Sequence, residues 1–280
     1  MRAFRVAYDG RPFYGFQRQP SVPTVEDSLF DALRRLDVLG DDADKPTGYA
    51  AAGRTDAGVS AVAQTVAFEC PAWCSPRALN SELPGSVRAW AATDVPEDFH
   101  ATHHAVRRQY TYHLYAPRPG TDSLEGRPQV DDERARAALA ALSGEHDFHN
   151  LTPDETGTVR DLTTDLTRDG AFLTVRVESD GFARELVRRL VSLVHAVGSG
   201  ATAVEKVDRV LGPEPIDGPE GVPPAPATPL VLTGVDYPEA TFDPDEMALA
   251  STRTAFGEQA VDGRVRGRVA DEVLAGLCDR

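Results

Sequence analysis

The sequence predicts an α+β fold built around a largely antiparallel sheet. Helical and strand-like patterns are mixed along the chain without the strict alternation that a doubly wound parallel sheet requires. The strand-like segments also alternate apolar with polar residues, as strands do when one face is buried and the other meets water. At 280 residues the chain exceeds the usual single-domain size, so one large or two ordinary domains are expected, each with its own core. No internal repeat is legible.

The elements follow in order. Phe4-Arg5-Val6-Ala7-Tyr8 alternates like a strand and stops at the turn signal Asp9-Gly10. Thr24 can cap a helix whose first turn carries Glu26 and Asp27, and whose apolar stripe is Val25, Leu29, Ala32, Leu33 and Leu36, with Gly40 as its stop. Strands are expected at 61–68 and at 106–115, the second rich in tyrosine, and a helix at 131–142 ending near Gly144. Leu173, Val175 and Val177 mark a strand over 171–178. Phe182, Leu186, Val187, Leu190, Val191 and Val194 then recur at helical spacing up to Gly198-Ser199-Gly200. Residues 212–229 carry seven prolines and read as an extended loop, followed by a short strand at Leu230–Val235. The tail from Glu239 onward is charged, with a helix expected only at 268–278.

Composition narrows the setting. Hydrophobic residues make up 41% of the chain, as in a soluble globular protein. No apolar run approaches the length of a membrane span, and Met1-Arg2-Ala3-Phe4 leads into a strand rather than a signal peptide, so a cytoplasmic location with no membrane partner is expected. The three cysteines form no CxxC pair and read as reduced thiols. Acidic residues number 44 against 29 basic ones, a formal charge of −15, and Lys45 and Lys206 are the only lysines. Such a surface suits strong salt: the Debye length shrinks to about 3 Å at 1 M, so like charges are screened while the acidic surface stays hydrated. A halophilic source is the expectation. Net charge by itself speaks against nucleic acid, whose binders usually present a basic field.

Chemistry concentrates at Gly53-Arg54-Thr55-Asp56-Ala57-Gly58. Glycines allow a tight turn and close approach of a ligand to backbone. In an extended segment Arg54 and Asp56 would share one face, and a carboxylate beside a cation stays ionised and nucleophilic. The same string also reads as a surface turn with a local ion pair. Elsewhere, Tyr110 alternates with Tyr112 and Leu114 and by parity alone belongs to a core. Arg188, beside Arg189 on an otherwise apolar helix, reads equally as a solvated charge. His100, His103 and His104 cluster near Asp98, but their spacing matches no recognised zinc site, and no GxxxxGK[ST] phosphate loop occurs, so no metal is expected.

The run Gly53 to Ser60, with Gln64, Val66 and Phe68 after it, resembles the signature of the TruA-type tRNA pseudouridine synthases. Further matching features stand in the same order: Tyr8-Asp9-Gly10 with Phe13, Gly15 and Gln17-Arg18-Gln19; Thr24-Val25; Phe99-His100-Ala101; Tyr110 and Tyr112; Gly144 to Phe148; the helix with Phe182, Val187 and Arg188; and Val235 to Pro238. The resemblance spans residues 4–238. It implies two ferredoxin-like (RRM-like) α/β halves sharing the sheet, 1–100 with the aspartate loop and 101–238, with an extension at 239–280 of no evident role. It implies isomerisation of uridine in the tRNA anticodon stem-loop, at tRNA positions 38, 39 and/or 40, by a homodimer without cofactor or metal. By position Asp56 is the catalytic aspartate, Tyr110 the ring that stacks on the uracil, Arg188 the partner of the aspartate and Arg54 the residue that displaces the base. Whether Asp56 attacks sugar or base, or assists a glycal route, stays open.

The chain departs from the family at several positions. Phe16 stands for a tryptophan, Thr102 for an arginine, Leu186 for a methionine, Ser192 for a glycine and Pro229 for a glycine. Thr102 removes a potential phosphate contact, and Pro229 stiffens a pocket wall. Arg18, Arg107, Arg108 and Arg184 read generically as phosphate contacts or as surface charges.

Overall fold

The computed structural model describes residues 1–120, 127–216 and 218–278. Asp217, within the expected proline-rich loop, and residues 279–280 of the tail lie outside the described residues, as does the side chain of Cys278. The fold is α+β, with ten strands in one sheet.

Strand β1 (Arg2–Tyr8) lies between β3 (Ser60–Phe68) and β4 (Val87–Asp94), antiparallel to both, with Phe4 opposite Val66 on one side and Ala92 on the other. A two-residue strand β2 (Ala50–Ala51) pairs with β3 just before the Gly53–Gly58 run. The remaining antiparallel ladder runs from β9 (Leu230–Asp236) through β5 (Arg107–Tyr115), β8 (Phe172–Ser179) and β7 (Val159–Asp169) to β6 (Gly144–Asp147). The short β10 (Asp243–Pro244) closes the other edge on β4. A parallel step joins the two arrays: β3 meets β9 with Ser60 opposite Val231 and Ala61 opposite Leu232.

Two apolar clusters underlie the sheet. The first gathers Phe4, Val6 and Tyr8 against α1 (Val25–Arg35) and α2 (Pro76–Glu82). The second gathers Tyr112, Leu173, Val175 and Val177 against α3 (Asp132–Ala141), α4 (Leu186–Gly198) and α5 (Glu205–Leu211). Tyr110 packs against both.

Helix α1 begins as the sequence predicts: the Thr24 side chain accepts from the Asp27 amide at 3.2 Å, and Asp27 accepts from the Thr24 amide at 3.1 Å. Its apolar stripe is buried, but the helix ends at Arg35, before Gly40. The other expected strands and helices fall within a few residues of their predicted bounds, except the tail. There a single helix, α6, runs from Glu246 to Cys278, and the expected helix at 268–278 is only its last third. At 33 residues it is about 50 Å long. Ala248 and Thr252 are buried near its start, while Val261, Val265, Val269, Val273 and Leu277 stand exposed. No helix among the described residues is long and apolar enough to cross a membrane.

Candidate active site

The Gly53–Gly58 run is an irregular turn between β2 and β3, braced by the segment after β1. The Phe16 amide donates to the Thr55 carbonyl at 3.0 Å, and the Gly58 amide to the Phe13 carbonyl at 3.2 Å. Two glycines are obligatory here. A Cβ on Gly10 would stand 2.1 Å from the Val59 carbonyl oxygen, and Gly58 has φ +82°, a backbone that side chains rarely tolerate. Beneath the turn the Tyr8 hydroxyl and Thr55 Oγ1 lie 2.8 Å apart, while Gln64 Nε2 donates to the Gly53 carbonyl at 2.9 Å. Burial pushes the Tyr8 phenol well above its ordinary value, so it remains a neutral hydrogen-bonding strut.

The parallel β3–β9 step sets this turn beside the start of α4. Arg188 Nη1 donates to Asp56 Oδ2 at 3.2 Å, and Arg188 Nε donates to the Ala225 carbonyl at 2.7 Å. The cation paired with Asp56 is therefore Arg188; no ion pair joins Asp56 to its near neighbour Arg54 among the described residues. The guanidinium is 16% exposed and the carboxylate 34%, so the pair sits at the floor of an open cleft of about 1470 Å³. Tyr110 and Arg54 line the same cleft. Phe182 meets the Tyr110 ring edge-on, 5.1 Å between centroids at 89°, and props it from the side. Burial, with a smaller push from Asp56, raises the Tyr110 phenol to about 12, against a lowering by Arg108. Tyr110 thus presents a neutral ring beside the carboxylate of Asp56. All four sequence-derived site residues, Asp56, Tyr110, Arg54 and Arg188, come together around one cavity.

The generic cations divide. Arg18 and Arg184 line the cleft but are paired, with Asp27 at 3.1 Å and Asp154 at 3.4 Å. Arg107 pairs with Asp236 and Glu178 across strands, and Arg108 donates to the carbonyls of Ala52 and Thr102, so both are occupied in holding the sheet and loops together. Thr102 lines the cleft and donates to the Ala51 carbonyl at 2.5 Å. Pro229 accepts from the His113 amide at 3.1 Å, next to Leu230 on the cleft wall. The His100 and His103 rings lie 4.2 Å apart at the cleft, tilted by 33°, and the His100 imidazole is pushed below its ordinary value, first by burial and then by its histidine neighbours.

Sequence reasoning overlooked several wall residues. Glu26 is buried, accepting from the Arg18 amide at 2.7 Å and from the Tyr49 hydroxyl at 2.9 Å. Lys45 lines the cleft and, like Arg54, has no carboxylate partner among the described residues. Glu185 stands at the head of α4; its only local signal was the i,i+4 spacing to Arg189.

A carboxylate held by a guanidinium, an aromatic ring beside it and an open, partly cationic cleft suit rearrangement of a flipped base. A family model described as tRNA pseudouridine synthase matches residues 138–238. A tRNA pseudouridine synthase A of Haloarcula marismortui is 58% identical over 99% of this chain and 100% of its own length. That of Halobacterium salinarum is 55% identical over 98% of each, and that of Methanocella arvoryzae 37% identical over 88% of each. The class is thereby defined: an isomerase acting on tRNA uridine, a pseudouridine synthase. Within that class, the chain belongs to the tRNA pseudouridine synthase A family.

Proposed function

We propose that the chain converts uridine to pseudouridine in the tRNA anticodon stem-loop, at tRNA positions 38, 39 and/or 40, with Asp56 as the nucleophile. The observation that carries this reading is the 3.2 Å pair between Asp56 and Arg188 on the floor of a cleft walled by Tyr110.

A stacked uridine hides its glycosidic bond, so the nucleotide must swing out, at a cost of about a few kcal/mol. Tyr110 stacks on the extruded uracil, an interaction worth about 1–3 kcal/mol. Arg54, exposed and without a carboxylate partner, fills the space left in the RNA. Asp56 then attacks sugar or base, or draws a proton to give a glycal. The C1′–N1 bond breaks, the uracil turns, and C5 bonds to C1′ with release of the C5 proton. One glycosidic bond replaces another, so the exchange calls for neither cofactor nor metal.

In this reading residues 1–100 and 101–238 form two ferredoxin-like halves, with 239–280 as an extension. The enzyme is a cytoplasmic homodimer of a halophile, and tRNA lies across both subunits.

The test incubates purified protein with unmodified tRNA transcripts in concentrated KCl and maps pseudouridine at each position. Wild-type protein should modify the anticodon arm, and Asp56→Ala should not. No pseudouridine from the wild type refutes the substrate, and full activity in Asp56→Ala refutes the nucleophile.

A further inference from the structure

Three non-glycine residues among those described have left-handed backbone: Ser21, Asp37 and Glu185. Ser21 and Asp37 are exposed, and aspartate is a residue type that visits this region readily. Glu185, with φ 61° and ψ 0°, is different. It occupies the N-cap of α4 without capping it, and it lines the catalytic cleft. A long side chain with such a backbone persists only where its surroundings over-determine it.

What holds Glu185 is its carboxylate. Oε2 accepts from Arg189 at Nε, 3.1 Å, and at Nη2, 2.7 Å. Oε1 lies 4.0 Å from Arg188 Nη1, the same nitrogen that donates to Asp56. Both arginines are pinned on the far side, Arg188 to the Ala225 carbonyl and Arg189 to the Val222 carbonyl at 2.8 Å. One largely buried guanidinium therefore stands between two carboxylates, in contact with the first and just short of the second.

We infer that Glu185 is a positioning residue that takes over Arg188 when Asp56 loses its charge. The inference rests on Asp56 being the reacting carboxylate, as proposed above, but not on which route it follows. In attack on the sugar, an Asp56 oxygen bonds to C1′ and the C1′–N1 pair leaves on the uracil. In attack on the base, that oxygen bonds to C6 and the C5–C6 pair moves onto C5. In the glycal route Asp56 takes the C2′ proton, the freed pair closes a C1′–C2′ double bond, and the C1′–N1 pair leaves with the uracil. Each route turns the carboxylate neutral. Arg188 would then be a buried cation stripped of its partner, which is unfavourable. A shift of about 1 Å brings its Nη1 within hydrogen-bonding range of Glu185. That contact strengthens as the reaction proceeds, so it speeds the chemical step rather than tightening substrate binding. The left-handed backbone keeps the second carboxylate beside the arginine at some cost in stability.

The test measures tritium release from tRNA carrying 5-tritiated uridine, together with thermal unfolding in concentrated KCl. Glu185→Gln keeps the backbone demand and removes the charge; kcat should fall about tenfold or more, with KM within about twofold, while Tm drops by only about a few degrees as the Arg189 contact loses its charge. Glu185→Gly removes both the charge and the strain; kcat should fall likewise, while Tm holds or rises. Wild-type kcat in Glu185→Gln overturns the inference, as does a loss of activity that tracks a falling Tm in both variants. Asp56→Ala is assayed alongside: activity surviving there removes the nucleophile reading itself, whereas an inactive Asp56→Ala with a fully active Glu185→Gln removes only the role of Glu185.

Discussion

Arg188 performs two tasks that one lysine could not. Its Nε fastens α4 to the proline-rich loop at Ala225, and its Nη1 meets Asp56, so the planar fork sets the distance between the loop and that carboxylate. The tyrosines around the sheet carry a second residue-scale consequence. Burial raises Tyr110, Tyr112 and Tyr237 to about 12. The unfolded chain releases these protons near pH 10, whereas the folded protein keeps them. Their contribution to stability is therefore complete below about pH 10 and is lost as pH rises from about 10 to 12, by up to about 1.4 kcal/mol per tyrosine for each pH unit. Urea unfolding at pH 9 and pH 11, at fixed KCl, should show a clear fall in midpoint. An unchanged midpoint would contradict the burial of these phenols.

At the scale of elements, the parallel contact between β3 and β9 positions the site, because it carries the Asp56 turn of one array to the α4 end of the other. Val59, directly before β3, belongs to the core cluster of the second array. Helix α1 supplies the opposite wall, and its capping box is placed where the cleft begins. Thr24 is buried and its hydroxyl donates to Asp27 Oδ2 at 2.6 Å. Thr24→Ala should cost about 1 kcal/mol in urea unfolding. Activity should survive, since the Val25 and Glu26 amides still donate to Gly15 and Phe16. A loss of activity without a loss of stability would show that the cap shapes the cleft rather than the helix. The tail helix α6 escaped sequence reading over most of its length because Gly257, Gly263 and Gly267 interrupt it.

At the scale of the whole molecule, a formal charge of −15 and an RNA substrate are reconciled by where cations remain free. Arg18 and Arg184 are neutralised by carboxylates at the cleft, whereas Arg54 and Lys45 are not. Each cation that neutralises a phosphate adds about −0.7 to −0.9 to the slope of log affinity against log salt. With two unpaired cations at the cleft among the described residues, tRNA binding should fall with KCl at a slope of about −1.4 to −1.8 per chain, so shape and hydrogen bonding carry the affinity that survives in concentrated salt. Filter binding between 0.5 and 3 M KCl would measure it. A slope of about −5 or steeper would mean that the paired arginines open onto RNA as well.

Much of this was legible from local pattern. The capping of α1 and the mixed strand and helix order are properties of short windows and led to the α+β class, whereas the Gly53–Gly58 run read equally as a surface turn and the alternation around Tyr110 as core, so the aspartate and the ring were reached through the resemblance to the family. Strand β7 was not legible, because only Leu162 and Leu166 are buried on it, a four-residue spacing that mimics a helix face. Strand β4, rich in alanine, and the seven-residue α2 lack the apolar contrast that marks an element. The pairing of Asp56 with Arg188 across 132 residues, rather than with Arg54 across two, was implied by the resemblance but by no local pattern; what tertiary structure alone decided is that Phe182 props Tyr110 and that Glu185 is bent beside the same arginine. Local sequence sets the propensity of a segment, but a contact between distant segments is set by burial of both against a shared sheet, and no window of the sequence contains that energy.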